Sequence, residues 1–166
     1  HERTASGDWE QIMTTPGFIG VNGLGKVREG DHKTPVGTFR FDYAFGIAPD
    51  PGCPLGNYTQ LDGDEYWCGG QYYNQWVDSG MDHSQCDLSQ DEHLIECTDT
   101  YKYSAVFTYN MSCTPGAGSA FFLHVSIGRP TEGCVSVDEG TMVYLMRHID
   151  WNTCIIIDTA DRIASY

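Results

Sequence analysis

The chain has 166 residues and a formal charge of −14, nine basic side chains standing against twenty-three acidic ones. That balance excludes nucleic acid and anionic membrane surfaces as partners, because phosphate binding needs a basic face. The length suits one domain over 1–166 with a full core, no run approaches the eighteen or so apolar residues of a membrane span, and nineteen glycines and seven prolines between short apolar runs indicate a β-rich fold.

The chain starts abruptly at His1-Glu2-Arg3 with no signal peptide, which suggests a piece of a longer exported precursor. Residues 9–13 follow the turn signal Ser6-Gly7-Asp8 and read as the second arm of a hairpin whose first arm is cut short at His1. Phe18-Ile19-Gly20-Val21 is a further short strand. The glycine-rich stretch 22–33 resembles a phosphate loop only superficially, since Lys26 is followed by Val27-Arg28 and a strand signal rather than by Ser or Thr and a helix. From Pro35 the pattern alternates, with Val36, Thr38, Arg40 and Asp42 on one side and Gly37, Phe39, Phe41 and Tyr43 on the other, as in a half-buried strand.

Residues 44–87 carry little periodicity and read as a long insertion with short strands, such as 57–61. Its aromatics Tyr66, Trp67, Tyr72, Tyr73 and Trp76 either line a groove or pack the insertion on the sheet. Ser89-Gln90-Asp91-Glu92 has capping-box spacing and predicts a short helix through Ile95. Residues 104–110 read as a strand and 114–118 as a turn. A second capping box, Ser136-Val137-Asp138-Glu139, precedes Met142, Leu145, Met146 and Ile149 at i, i+3, i+4 and i+7, which predicts an amphipathic helix packed on the sheet, with His148 on its surface. Residues 154–157 read as a closing strand buried on both faces.

Seven cysteines, at 53, 68, 86, 97, 113, 134 and 154, exceed what a reduced cytosolic domain of this size normally carries. An odd count leaves one thiol over if six pair. Sequence cannot choose among the pairings; Cys53 with Cys68, Cys86 with Cys97, and Cys113 with Cys154 would staple the insertion and leave Cys134 free. The rival is a zinc site of Cys86, His93 and Cys97, whose spacing fits no compact structural-zinc pattern.

The stretch that concentrates chemistry is 121–137. His124 lies in the apolar run 121–125, Cys134 precedes Val135-Ser136-Val137, and Gly128, Pro130 and Gly133 break the chain between them, so a hairpin-like fold-back would bring thiol and imidazole together. An imidazole that takes the thiol's proton leaves a nucleophile for a carbonyl. Gly133 permits close backbone approach, and successive N–H groups of Thr131-Glu132-Gly133-Cys134 are placed to converge on an oxyanion. A buried structural cysteine is the alternative.

These residues resemble the catalytic domain of the YkuD-type L,D-transpeptidases. The resemblance is carried by Ile19-Gly20-Val21-Asn22-Gly23-Leu24-Gly25-Lys26 with the Thr-Pro-Val-Gly-Thr-Phe strand from Thr34, by Tyr72-Tyr73-Asn74-Gln75-Trp76-Val77, and by 109–135, where the family places a His on one strand, then Ser or Thr, any residue, Gly and the nucleophilic Cys. Thr131-Glu132-Gly133-Cys134 matches in type and order. It departs in carrying Glu132 where the better-known branch has a second histidine and Ser136 where that branch has an arginine; the ten-residue step from His124 to Cys134 is also shorter.

The resemblance implies a β-sandwich or barrel with one helix after the cysteine and no cofactor or metal. It implies Cys134 as nucleophile, His124 as base and the Gly133 region as oxyanion site. It further implies 3→3 cross-linking of peptidoglycan stem peptides through a thioester, acylation by carbapenems and an extracytoplasmic location in cell wall or periplasm. Arg129 and Lys26 are candidates to bind stem carboxylates, with solvated surface charge as the alternative. An L,D-carboxypeptidase using water and a non-catalytic wall-binding module are the rival functions.

Overall fold

The computed structural model describes residues 1–78 and 91–166. Its centre is a sheet of seven strands, β3 (Gly17–Phe18), β4 (Gly37–Gly46), β5 (Tyr58–Gln60), β9 (Ser104–Phe107), β10 (Phe122–Val125), β11 (Val135–Val137) and β12 (Cys154–Ile157). Their order is β12-β4-β9-β10-β11-β3, with β5 added along β4. A three-stranded sheet of β6 (Tyr66–Cys68), β7 (Gln75–Val77) and β8 (Glu92–His93) covers part of it, and β1 (Glu2–Arg3) and β2 (Trp9–Glu10) form the expected N-terminal hairpin. No helix among the described residues is long and apolar enough to cross a membrane.

β4 alternates as its sequence does as far as Phe41, then breaks register against β9 between Phe41 and Ala44. Such a bulge bends a strand. The first half of β4 pairs with β12 and the second half runs parallel to β5.

Alternate side chains leave the central strands on opposite faces. Ala105, Phe107, Leu123, Val125 and Val137 point into one core with Phe41, Met142, Met146 and Ile149; Val106 and Phe122 point into another with Phe45, Leu61, Trp67, Leu94 and Tyr101. All residues of β9 and β10 are therefore buried, Ser104 and His124 included, which accounts for their largely apolar sequences. Each fully buried side chain of this size contributes roughly 1.5–3 kcal/mol.

The helix α1 (Glu139–Met146) caps the first core through Met142 and Met146, with Ile149 just beyond its end; Leu145 is only partly buried, and His148 is exposed with its ring stacked on Tyr144. Its N-cap is Asp138, whose carboxylate accepts from the Thr141 amide at 3.0 Å, not Ser136, which stays in β11.

Several expectations are corrected. β10 and β11 run parallel, Leu123 opposite Val135 and His124 opposite Ser136, so 126–134 is a crossover and not a hairpin turn. β12 is an edge strand with Cys154 exposed, because only β4 pairs with it. Glu92 starts a strand and Leu94–Glu96 a 3₁₀ turn in place of the predicted helix, whose Ser89 and Gln90 lie outside the described residues.

None of the three cysteine pairings forms as expected, since Cys53, Cys97, Cys113 and Cys154 are all free thiols; Cys68 is in disulfide linkage, and Cys86 lies outside the described residues. Aromatic packing also holds the insertion. Trp67 meets Phe122 edge-on at 4.9 Å and Trp76 meets Phe45 at 5.5 Å, so both pack on the sheet, and both also line clefts, so that neither side of the groove-or-packing alternative excludes the other.

Candidate active site

His124 and Cys134 share a sheet face because period-two alternation puts 122, 124, 134 and 136 on the side away from α1. His124 lies directly opposite Ser136 and so diagonally from Cys134, a separation that side chains of this length span. Both line a cleft of about 740 Å³. Every residue picked from the sequence reaches it: Cys134, His124, Gly133, Glu132, Thr131, Arg129 and Lys26. A smaller cleft of about 410 Å³ around Trp76, Met111 and Cys113 contains no imidazole.

The turn carrying the sulfur is tied from both sides. Thr131 bridges Gly20, its amide donating to Ile19 O at 3.0 Å and its carbonyl accepting from Val21 N–H at 2.8 Å. Its hydroxyl donates to Cys134 O at 2.6 Å and accepts from the Gly133 amide at 3.1 Å. Thr34, fully buried, accepts from Gly20 N–H at 2.8 Å and donates to Gly133 O at 2.7 Å. Gly133 has φ +150° and a Cβ there would lie 2.9 Å from the Phe121 ring, so the position requires glycine. Thr34 entered the sequence reading only as a strand residue; nothing in its spacing marks it as the pin of the cysteine turn.

The Cys134 thiol donates to Ala120 O at 3.2 Å and accepts from Phe122 N–H at 3.4 Å. Burial, then the Glu92 carboxyl, push it up to about 12, against the smaller pull of the Phe122 amide and of Lys26. Burial lowers the imidazole of His124, partly offset by its bond to Val125. That 2.8 Å contact is to a carbonyl, so Nδ1 carries the proton and Nε2 the lone pair. Thiol and imidazole are thus both neutral in the folded protein.

Lys26 is neither a free carboxylate receptor nor a solvated charge. It is buried, paired with Asp31 at 2.8 Å, and lies 5.1 Å over the Phe121 ring. Burial would raise the Asp31 carboxyl, but the ammonium and the amides of Val27, Lys33 and Arg28 together hold it well below the usual range. Arg129 is exposed at the cleft. Glu132, in place of the second histidine, is exposed and paired with His32. Of the rival zinc set, His93 stacks on Tyr66 and binds Gly63 O at 2.8 Å, while the Cys97 thiol points to Glu92.

Glu92 and Tyr101 also line the cleft, and Cys97 beside them is a second free thiol there, none of them marked for such a place by the sequence. Glu92 was hidden by its capping-box spacing.

Comparison with known protein families matches residues 3–157 to YkuD, the L,D-transpeptidase catalytic domain. The chain belongs to that family. The match embraces the whole central sheet of this YkuD domain, from β3 to β12, and all seven picked residues lie inside it. Comparisons with curated proteins and with solved structures find no match to the chain.

Proposed function

We propose that this YkuD domain is a peptidoglycan L,D-transpeptidase that works through a thioester on Cys134, as one catalytic unit in the cell wall or periplasm. The supporting observation is a free thiol and an imidazole on one face of adjacent strands, lining one cleft, with the imidazole's Nδ1–H committed to Val125. Nε2 of His124 takes the thiol proton as the sulfur attacks, so that no thiolate need exist beforehand.

The carbonyl attacked is that of the third residue of a tetrapeptide stem, in the amide to its terminal D-Ala. Because the Gly133 amide already serves Thr131, the amides of Cys134 and Glu132 are the donors for the oxyanion, each worth about 3 kcal/mol of barrier. His124 returns the proton to the departing D-Ala nitrogen. The side-chain amine of a neighbouring stem then takes the acyl group, giving a 3→3 link and restoring the thiol; water in its place would make the domain an L,D-carboxypeptidase.

Intact-mass analysis with a carbapenem tests this reading. The native protein gains one adduct, Cys134→Ala gains none, and His124→Ala gains it 10²- to 10⁴-fold more slowly, the usual worth of a general base. An adduct that survives in Cys134→Ala refutes the assignment, and a native protein that forms no adduct and does not process stems refutes the function in favour of a binding module.

A further inference from the structure

Glu92 lines the cleft with the nucleophile and has no cationic partner among the described residues. Its Oε1 accepts from the Tyr101 hydroxyl at 2.5 Å and from the Cys97 thiol at 3.6 Å, while Oε2 makes no hydrogen bond among the described residues. The Tyr101 ring that holds it meets His124 edge-on at 5.6 Å, so carboxyl, tyrosine and imidazole form one connected group. Neither cation of the cleft serves Glu92: Lys26 belongs to Asp31, and Arg129 stands exposed. Burial raises the Glu92 carboxyl, against the pull of Tyr101 and Cys97.

We infer that Glu92 docks the primary amine of the acceptor stem and takes its proton, so that this cleft selects an amine over water in the second half-reaction. The inference rests on the transpeptidase reading above and names what that reading leaves open. An alkyl amine with a pKa near 10.4 arrives as ammonium and is no nucleophile until it loses a proton. The Glu92 carboxylate pairs with the ammonium as it docks. One ammonium proton then passes to Glu92 as the nitrogen forms its bond to the thioester carbon. The C–S bond breaks, and the second nitrogen proton reaches the departing sulfur through His124. The cycle ends with a new amide, a neutral thiol and a protonated Glu92, which then releases its proton to solvent. Water needs only His124 as base, so hydrolysis does not depend on Glu92.

The test uses purified tetrapeptide stems, with D-Ala release measured beside the ratio of cross-linked dimer to tripeptide. Glu92→Gln keeps an acceptor for Tyr101 but cannot take a proton. D-Ala release is expected to continue in this variant while the dimer-to-tripeptide ratio falls roughly tenfold or more. Tyr101→Phe, which keeps the ring and removes the hydroxyl, is expected to shift the ratio in the same direction and decides the matter if Glu92→Gln does not fold. An unchanged ratio in the folded variants overturns the role of Glu92 and leaves the transpeptidase reading standing. Absence of D-Ala release from the native protein overturns both.

Discussion

Alkylation of Cys134 as a function of pH probes the neutral thiol–imidazole pair directly. With the thiol pushed up to about 12, the thiolate fraction at pH 7 is about 10⁻⁵. A free cysteine near 8.5 has about three in a hundred, a ratio of about 3,000. A more basic thiolate is also more nucleophilic, and a Brønsted slope of 0.4–0.5 returns a factor of about 40. Iodoacetamide should therefore modify Cys134 roughly fifty- to a hundredfold more slowly at pH 7 than a free thiol, with a rate rising about tenfold per pH unit up to at least pH 10. Because five described cysteines are free, the rate must be read residue by residue from peptide masses, with the exposed Cys154 as internal reference. A rate that levels off below pH 8 would refute the reasoning, because it would mean that a thiolate–imidazolium pair already exists in the empty cleft.

Replacing Thr34 by valine keeps the shape but orphans the Gly20 amide and the Gly133 carbonyl, which should lower stability by roughly 2–4 kcal/mol in urea denaturation and slow carbapenem acylation. Alkaline pH should destabilise the protein. The thiols of Cys97 and Cys134 and the hydroxyl of Tyr73 are each raised to about 12, chiefly by burial, above their values in the unfolded chain. Their contribution is fully present below about pH 8.5 for the thiols and 10 for the tyrosine, and is lost as pH climbs toward 12, at about 1.4 kcal/mol per pH unit for each group. Urea midpoints measured from pH 8 to 11 should fall accordingly; a flat profile would contradict the burial of these groups.

That His124 and Cys134 come to line one cleft was legible because the signals are local. A glycine before Cys134, an apolar strand around His124 and the stripe Met142, Met146 and Ile149 each follow from a few neighbouring residues. What escaped depends on partners distant in the chain. The parallel pairing of β10 with β11 goes together with β3 lying antiparallel along the far edge of β11, which no feature of 121–137 announces. Lys26 read as a surface charge because nothing in its spacing shows Asp31 turning back beneath it. Counting cysteines pointed to Cys134 as a lone survivor, yet Cys53, Cys97, Cys113 and Cys154 are free as well; its distinction comes from the strand beside it and not from arithmetic. Glu92 displayed a helix-cap spacing that pairing with β6 overrode.

The hydroxyl of Thr34 gives the cleft a vulnerability to cutting. The loop around residues 20–34 is bound to the segment that presents the sulfur through Gly20, Val21, His32 and Thr34. Proteolytic nicking there would leave β4, β9 and β10 zipped together while freeing 131–134 to drift, so that a single cleavage could silence the protein without unfolding it. Circular dichroism would scarcely register the change, whereas labelling by a carbapenem would disappear.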